Sequence, residues 1–296
     1  MASMHAVAAT YNIADAAVVE GTGGSTNLVF TVSRDASGIA EGINFASSNG
    51  TAIAGTDYTA AAGTLNFPIA SLAQTVSVPI TTDSTVEGNE TFFVTLSNPP
   101  VGSVIGTGVA TGTISNDDNA VISVNTPSVA EGNVGNTPLP FSVSISNPVQ
   151  GAVSFTYTAA NGNNANPVLN ATLADNDFLA STGNVSFPSD SAAPLTVNVP
   201  IVGDVDVEPN QGLLLNLSNL VLPASILPGS VSFSASGAGT INNDDGTVLS
   251  ITNAAITEGN AGSSNLVFTV TLSAANKSPV TVQFASADGT DRKSVV

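Results

Sequence analysis

A segment near the start of the chain, VVEGTGGSTNLVFTVS at 18–33, returns as VAEGNVGNTPLPFSVS at 129–144 and as ITEGNAGSSNLVFTVT at 256–271. Glu20 to Glu131 is 111 residues, and Glu131 to Glu258 is 127. A second segment, ATGTISNDD at 110–118, returns as GAGTINNDD at 237–245, again 127 residues on. Self-similarity at a long, nearly fixed period marks an array of repeated units, and units of this length are whole domains. The repeats divide the chain at 1–118, 119–245 and 246–296, the last unit being shorter than the others. The Asp-Asp pairs close one unit and abut the next with almost no linker, so adjacent units are expected to touch.

Within each unit the apolar residues recur with a period of two. Leu28, Phe30 and Val32 alternate with Val29, Thr31 and Ser33, and Val76, Val78 and Ile80 alternate with Thr75, Ser77 and Pro79. Such alternation buries one face of a strand. Val, Ile, Thr and Phe fill these runs, while Gly, Asn, Asp and Pro separate them. No stretch sustains an apolar spacing of three to four, so little helix is expected. About seven strand runs per complete unit point to a β-sandwich.

Charge narrows the function classes. Charged residues make up only 9% of the 296 residues, and the net charge is −18. The basic residues are Arg34, Lys277, Arg292 and Lys293. A chain this acidic repels phosphate backbones and anionic membrane surfaces, which argues against nucleic-acid binding and membrane association. Divalent cations are its natural counter-charge. There is no cysteine, which excludes disulfides, thiolate zinc sites and a cysteine nucleophile. No apolar run is long enough for a membrane helix, and MASMHAVAAT lacks the charged and apolar regions of a signal peptide.

The first unit carries an ordered set of motifs: Glu20-Gly21, NGTAIAGTDY at 49–58, GTLNF at 63–67, DSTVEGNETFFVTLSNP at 83–99 and GTISNDD at 112–118. The second matches at both ends and in GNVSF at 183–187, VPIVGDVDVEPNQ at 199–211 and LNLSNL at 215–220, with an insertion around 161–177. This set resembles the Calx-beta repeat, over about nine-tenths of the chain. The resemblance implies an all-β chain of tandem Greek-key, immunoglobulin-like β-sandwiches, the third repeat truncated. It also implies calcium binding or service as a cell-surface spacer.

Calcium takes six to eight oxygen ligands, mostly carboxylate and carbonyl. The motif carboxylates of the first unit are Glu20, Asp57, Asp83, Glu87, Glu90, Asp117 and Asp118. By analogy with the family they gather at the end where the chain leaves the unit. Seven like charges there repel and raise one another's pKa unless a cation intervenes. The second unit offers Glu131, Asp175, Asp177, Asp204, Asp206, Glu208, Asp244 and Asp245, with Gln211 standing where the first has Glu90. An amide oxygen brings no charge, so weaker binding or fewer ions is expected at the second site. These fifteen positions hold most of the chain's 22 acidic residues, more than scattered surface acidity would place there. Of the motif carboxylates only Glu258 and Asp288 have counterparts in the third unit, and no site is expected there.

Other chemistry is poorly supplied. His5 is the single histidine and has no evident partner, so a hydrolytic triad is not expected. Paired carboxylates can hydrolyse glycosides, but these belong to a repeated array, and tryptophan is absent. GTGG at 21–24 precedes no helix and reads as a turn. Asn170-Ala171-Thr172 fits a glycosylation triplet inside an exposed Asn-rich loop. The expected function is a non-catalytic, calcium-binding structural or adhesive segment of an exported, extracellular surface protein. A calcium sensor acting on a partner, or an appendage of a secreted enzyme, are the alternatives. Expected partners are calcium and other surface proteins or like chains, the latter through an open third unit. That unit is expected to form strands at 247–257, 264–272 and 279–286, with the face of Leu266, Phe268, Val270 and Leu272 uncovered.

Overall fold

The computed structural model describes residues 8–36, 39–257, 259–287 and 289. Nine strands build the first repeat: β1 (Thr10–Ile13), β2 (Ala16–Val19), β3 (Thr26–Arg34), β4 (Glu41–Asn49), β5 (Ala62–Phe67), β6 (Ala73–Ile80), β7 (Glu90–Ser97), β8 (Val104–Ile105) and β9 (Val109–Ser115). They form two sheets, ordered β6-β3-β1-β8 and β2-β9-β7-β4-β5. The second repeat copies this arrangement with β10 (Ala120–Val124), β11 (Ser128–Ala130), β12 (Gly135–Ile145), β13 (Val153–Asn161), β14 (Thr182–Phe187), β15 (Leu195–Gly203), β16 (Gln211–Val221), β17 (Val231–Phe233) and β18 (Gly237–Asn242). Its sheets are ordered β15-β12-β10-β17 and β11-β18-β16-β13-β14. Each repeat is an immunoglobulin-like β-sandwich.

Seven runs become nine strands because the first and last runs change sheets. β1 pairs antiparallel with β3, whereas β2 crosses over and pairs parallel with β9. The crossing at Ala14-Asp15 is held by Asp15, whose Oδ1 accepts the Thr111 backbone N–H at 2.7 Å. The last run splits in the same way into β8, parallel to β1, and β9.

The alternation in β3 is realised residue by residue, with Leu28, Phe30 and Val32 buried and Val29 and Thr31 outside. Across the sandwich Phe92 meets Phe30 edge-on at 5.7 Å and stacks on Tyr58 at 4.3 Å. These rings explain the glycine of the repeated GTI motif. A Cβ at Gly112 would lie 2.7 Å from the Phe30 ring, and one at Gly239 would lie 2.7 Å from Leu139 and Phe141. Only glycine lets the last strand approach this closely.

Arg34 is structural. Its guanidinium is buried, lies 5.0 Å over the Phe67 ring and donates to the Ser71 and Pro68 carbonyls and to Glu41. The only helix among the described residues is a single 3-10 turn, Pro167–Leu169, in the inserted loop, and no helix is long and apolar enough to cross a membrane. In that loop both ends of the Asn170 side chain bond Asn164, with Oδ1 accepting its N–H and Nδ2 donating to its carbonyl.

Residues after 246 depart from the sequence expectation of three strands. Two short strands are described, β19 (Leu249–Ile251) and β20 (Val270–Leu272), paired antiparallel. Residues 279–286 form no strand. Leu266, Phe268, Val270 and Leu272 are exposed. A two-stranded ribbon without an opposing sheet gains too little burial to extend.

The first two repeats touch, as the missing linker requires. The β6–β7 loop projects Val86 into the core of the second repeat, where it is fully buried beside Val149. The Val86 N–H donates to the Pro148 carbonyl and its carbonyl accepts from Gln150, each at 2.9 Å. Gly88 packs so closely that a Cβ there would lie 2.6 Å from the Ser225 carbonyl oxygen. Val207 holds the matching place in the second repeat and pairs with Asn276.

Candidate metal centres

In an antiparallel sandwich the turns β2–β3, β4–β5 and β6–β7 and the exit of β9 fall at one end. They carry Glu20, Asp57, the Asp83–Glu87 loop leading to Glu90, and Asp117-Asp118. The seven carboxylates predicted for the first unit therefore converge beside the Val86 contact. Among the described residues, ligand atoms of Asp57, Glu87 and Glu90 lie within 4.8 Å of one another. In the second unit the same holds for Glu131, Asp244 and Asp245, and for Asp204, Asp206 and Glu208.

Backbone donors fix the ring of acids identically in both repeats. Asp57 Oδ2 accepts the Ile53 N–H at 2.6 Å, and Asp177 Oδ2 accepts the Thr172 N–H at 2.7 Å. Asp117 Oδ1 accepts from Gly21 and Asp244 Oδ1 from Gly132, at 2.9 and 3.1 Å. Asp83 and Asp204 each accept an N–H from two residues on, which curls the β6–β7 loop and its counterpart. The insertion leaves Asp177 in the place of Asp57. Asp175 differs from the other predicted ligands: it is exposed and exchanges hydrogen bonds with the Thr172 hydroxyl, closing a turn at the rim.

Sequence reasoning missed the asparagines that hold the acids apart. Asn116 Oδ1 accepts the Glu87 N–H at 3.0 Å while its Nδ2 donates to the Asp118 carbonyl at 3.0 Å. Asn243 repeats this with Glu208 and Asp245, at 2.9 Å each. Asn89 and Asn210 in turn accept from Asn116 and Asn243, both at 3.1 Å. The signal was the N of SNDD, NNDD, EGNE and EPNQ, hidden among many other asparagines. Glu258, Asp288, His5, Arg292 and Lys293 lie outside the described residues.

The electrostatics are those of anionic pockets, and among the described residues Lys277, against Asp177 and Glu208, is the one cation beside them. Burial and then the charges of Asp83 and Asp118 push Glu20 up to about 7. Burial, followed by Glu20, Glu90, Asp57 and Asp83, pushes Glu87 up to about 8. Glu90 rises to about 7, chiefly by burial. Glu131 also reaches about 7, through burial and then Asp204 and Glu208. Asp118 Oδ2, Glu131 Oε1 and Asp245 Oδ2 are buried with no hydrogen-bond donor. A buried anionic oxygen without a partner is costly, and a cation is the partner these oxygens fit.

The Calx-beta domain family matches this chain twice, over residues 9–119 and 115–234. No curated protein sequence gives a significant match. Among solved structures, CBD12 from CALX1.2 is 17% identical, with 79% of this chain and 99% of that one covered and a TM-score of 0.36. The apo-form Calx CBD1 domain is 26% identical over 38% of this chain and 100% of that one, with a TM-score of 0.33. The calcium binding domain CBD12 of CALX1.1 is 18% identical over 79% and 99%, with a TM-score of 0.35. With two consecutive matches that span most of its length, this chain belongs to the Calx-beta domain family.

Proposed function

We propose that the chain is a non-catalytic, calcium-binding spacer of an exported surface protein, in which cations bound at the end of one repeat fasten it to the next. The observation that carries this reading is a coincidence of place. The β6–β7 loop that supplies Asp83, Glu87 and the approach to Glu90 also inserts Val86 into the following repeat. Whatever orders that loop orders the junction.

The donor set fits calcium: carboxylates only, no sulfur or imidazole, and buried oxygens that lack donors. Glu20, Asp57, Asp83, Glu87, Glu90, Asp117 and Asp118 would hold ions in the first repeat. Glu131, Asp204, Asp206, Glu208, Asp244 and Asp245 would hold them in the second, where Lys277 stands against Asp177 and Glu208 and Asp175 lies at the rim. A bound ion supplies positive charge that lets the carboxylates stay ionised while buried. The chain's own contribution is the asparagine scaffold and the docked valine. The sparsely charged composition, rich in Ser, Thr and Asn, supports an extracellular setting.

Small-angle scattering tests the fastening. In calcium the distance distribution should be longer and narrower than in chelator; identical profiles in both would overturn a role at the junction. Calorimetry tests the ligand set. Glu90→Gln should weaken the first site by about tenfold, the effect of losing roughly 1.4 kcal/mol of ion–carboxylate attraction. Gln211→Glu should tighten the second by a similar factor. Unchanged affinity in both variants would remove positions 90 and 211 from the sites.

A further inference from the structure

The two repeat ends are built alike in backbone but opposite in one pair of charges. At the first junction Val86 N–H donates to Pro148 and Gln150 N–H donates to Val86. At the second, Val207 N–H donates to Ala275 at 3.0 Å and Lys277 N–H donates to Val207 at 3.2 Å. Gln150 and Lys277 are thus counterparts, delivered to the acidic end of the preceding repeat by the same short parallel pairing. Their side chains finish the comparison. Gln150 Nε2 donates to Glu90 Oε1 at 3.3 Å. Lys277 Nζ forms an ion pair with Glu208 and stands 3.7 Å from Asp177 Oδ1. Where the first repeat has three carboxylates and an amide (Asp57, Glu87, Glu90, Gln150), the second has two carboxylates, an amide and an ammonium (Asp177, Glu208, Gln211, Lys277).

We infer that Lys277 is a resident cation of the second repeat: its ammonium takes the position that the first repeat leaves to a divalent ion, so the second junction is fastened without calcium and the second repeat takes up fewer ions than the first. The inference rests on the calcium reading of the acidic ends.

Three observations support it. The side chains of Asp177 and Glu208 are only 5% and 4% exposed, beneath a Lys277 side chain that is itself 38% exposed, so a half-solvated ammonium covers two buried carboxylates. Removing the lysine would strand two buried charges. The lysine is also held by its backbone bond to Val207, so its ammonium is delivered to the acids rather than free to swing away. Finally, Glu131, Asp244 and Asp245 gather without either of the lysine's partners, while Asp204 and Asp206 cluster with Glu208, the carboxylate it pairs with. Calcium binding there is reduced, not abolished.

The test is calorimetric titration of the whole chain with calcium chloride, for the natural sequence, Lys277→Gln and Gln150→Lys. Unfolding of each in chelator is recorded alongside. Lys277→Gln should bind about one more ion per chain, or bind at the second repeat about tenfold more tightly. It should be less stable than the natural chain in chelator and regain stability in calcium. Gln150→Lys should lose about one ion and hold its first junction together in chelator. If the natural chain binds calcium while both variants keep its stoichiometry and affinity, the lysine is not a substitute cation and only this inference fails. If the natural chain binds no calcium at all, the reading beneath it fails as well.

Discussion

In excess calcium the chain should melt roughly 10 °C or more above its midpoint in chelator. An ion held by the folded acidic end has no equivalent site in the unfolded chain. At about 100 times the dissociation constant, each site then adds roughly 2.7 kcal/mol. For domains of this size one kcal/mol moves the midpoint by about 3–5 °C. The pH dependence should change sign with the ion. Without calcium, Glu20, Glu87, Glu90 and Glu131 titrate at about 7 to 8 in the folded chain against an ordinary 4.5. The folded state therefore binds more protons than the unfolded state across that interval. Stability in chelator should rise as pH falls from 8 towards 5 and be lost again as pH climbs. With calcium bound, protons compete for the same oxygens, so acidification should lower the midpoint. Scanning calorimetry at pH 8 and pH 5.5, in calcium and in chelator, gives all four values. A midpoint indifferent to calcium at pH 8 would sink the metal reading for both repeats.

How much of this was legible in the sequence depends on what each residue type advertises. The sandwich was legible because Leu28, Phe30 and Val32 alternate with polar neighbours, and because the same pattern returns in the second repeat. The convergence of Glu20, Asp57, Asp83 and Asp117 was legible only through the resemblance to the Calx-beta repeat that the motifs carry. Strand number was less so: nothing in the composition shows one run feeding two sheets, which the structure does around Asp15. Asn116 and Asn243 were invisible because an amide looks the same in a loop as in a scaffold. Lys277 was invisible because its partners, Asp177 and Glu208, are close only after the chain doubles back along Val207. The expected strands after residue 246 had the right pattern, but a pattern forms a sheet only where an opposing surface can bury it.

Val86→Asp should separate the first repeat from the second and destabilise the second the more. Val86 is the first-repeat member of the second repeat's core, fully buried in one cluster with Ala120 and Ile122 and bridged to Val149. Trimming it to alanine should cost about 2 kcal/mol, between the usual costs of removing one methylene and a whole leucine side chain. A carboxylate there costs more, because it enters an apolar site without a donor. It also stands beside Glu87 and the rest of the acidic end, which repel it. The repeat that owns the loop keeps its own core, since Phe30, Phe92 and Tyr58 form a separate cluster. Calorimetry should therefore show the second repeat melting earlier while the first is little changed, and scattering should show a flexible junction even in calcium. Val207→Asp is the internal control. Val207 holds the same loop position but is only partly buried and meets the short segment around Asn276. Its replacement should shift neither repeat's midpoint by more than a degree or two, roughly the effect of a few tenths of a kcal/mol. Equal effects from the two substitutions, or an unaltered second repeat in Val86→Asp, would show that the plugged valine does not fasten the array.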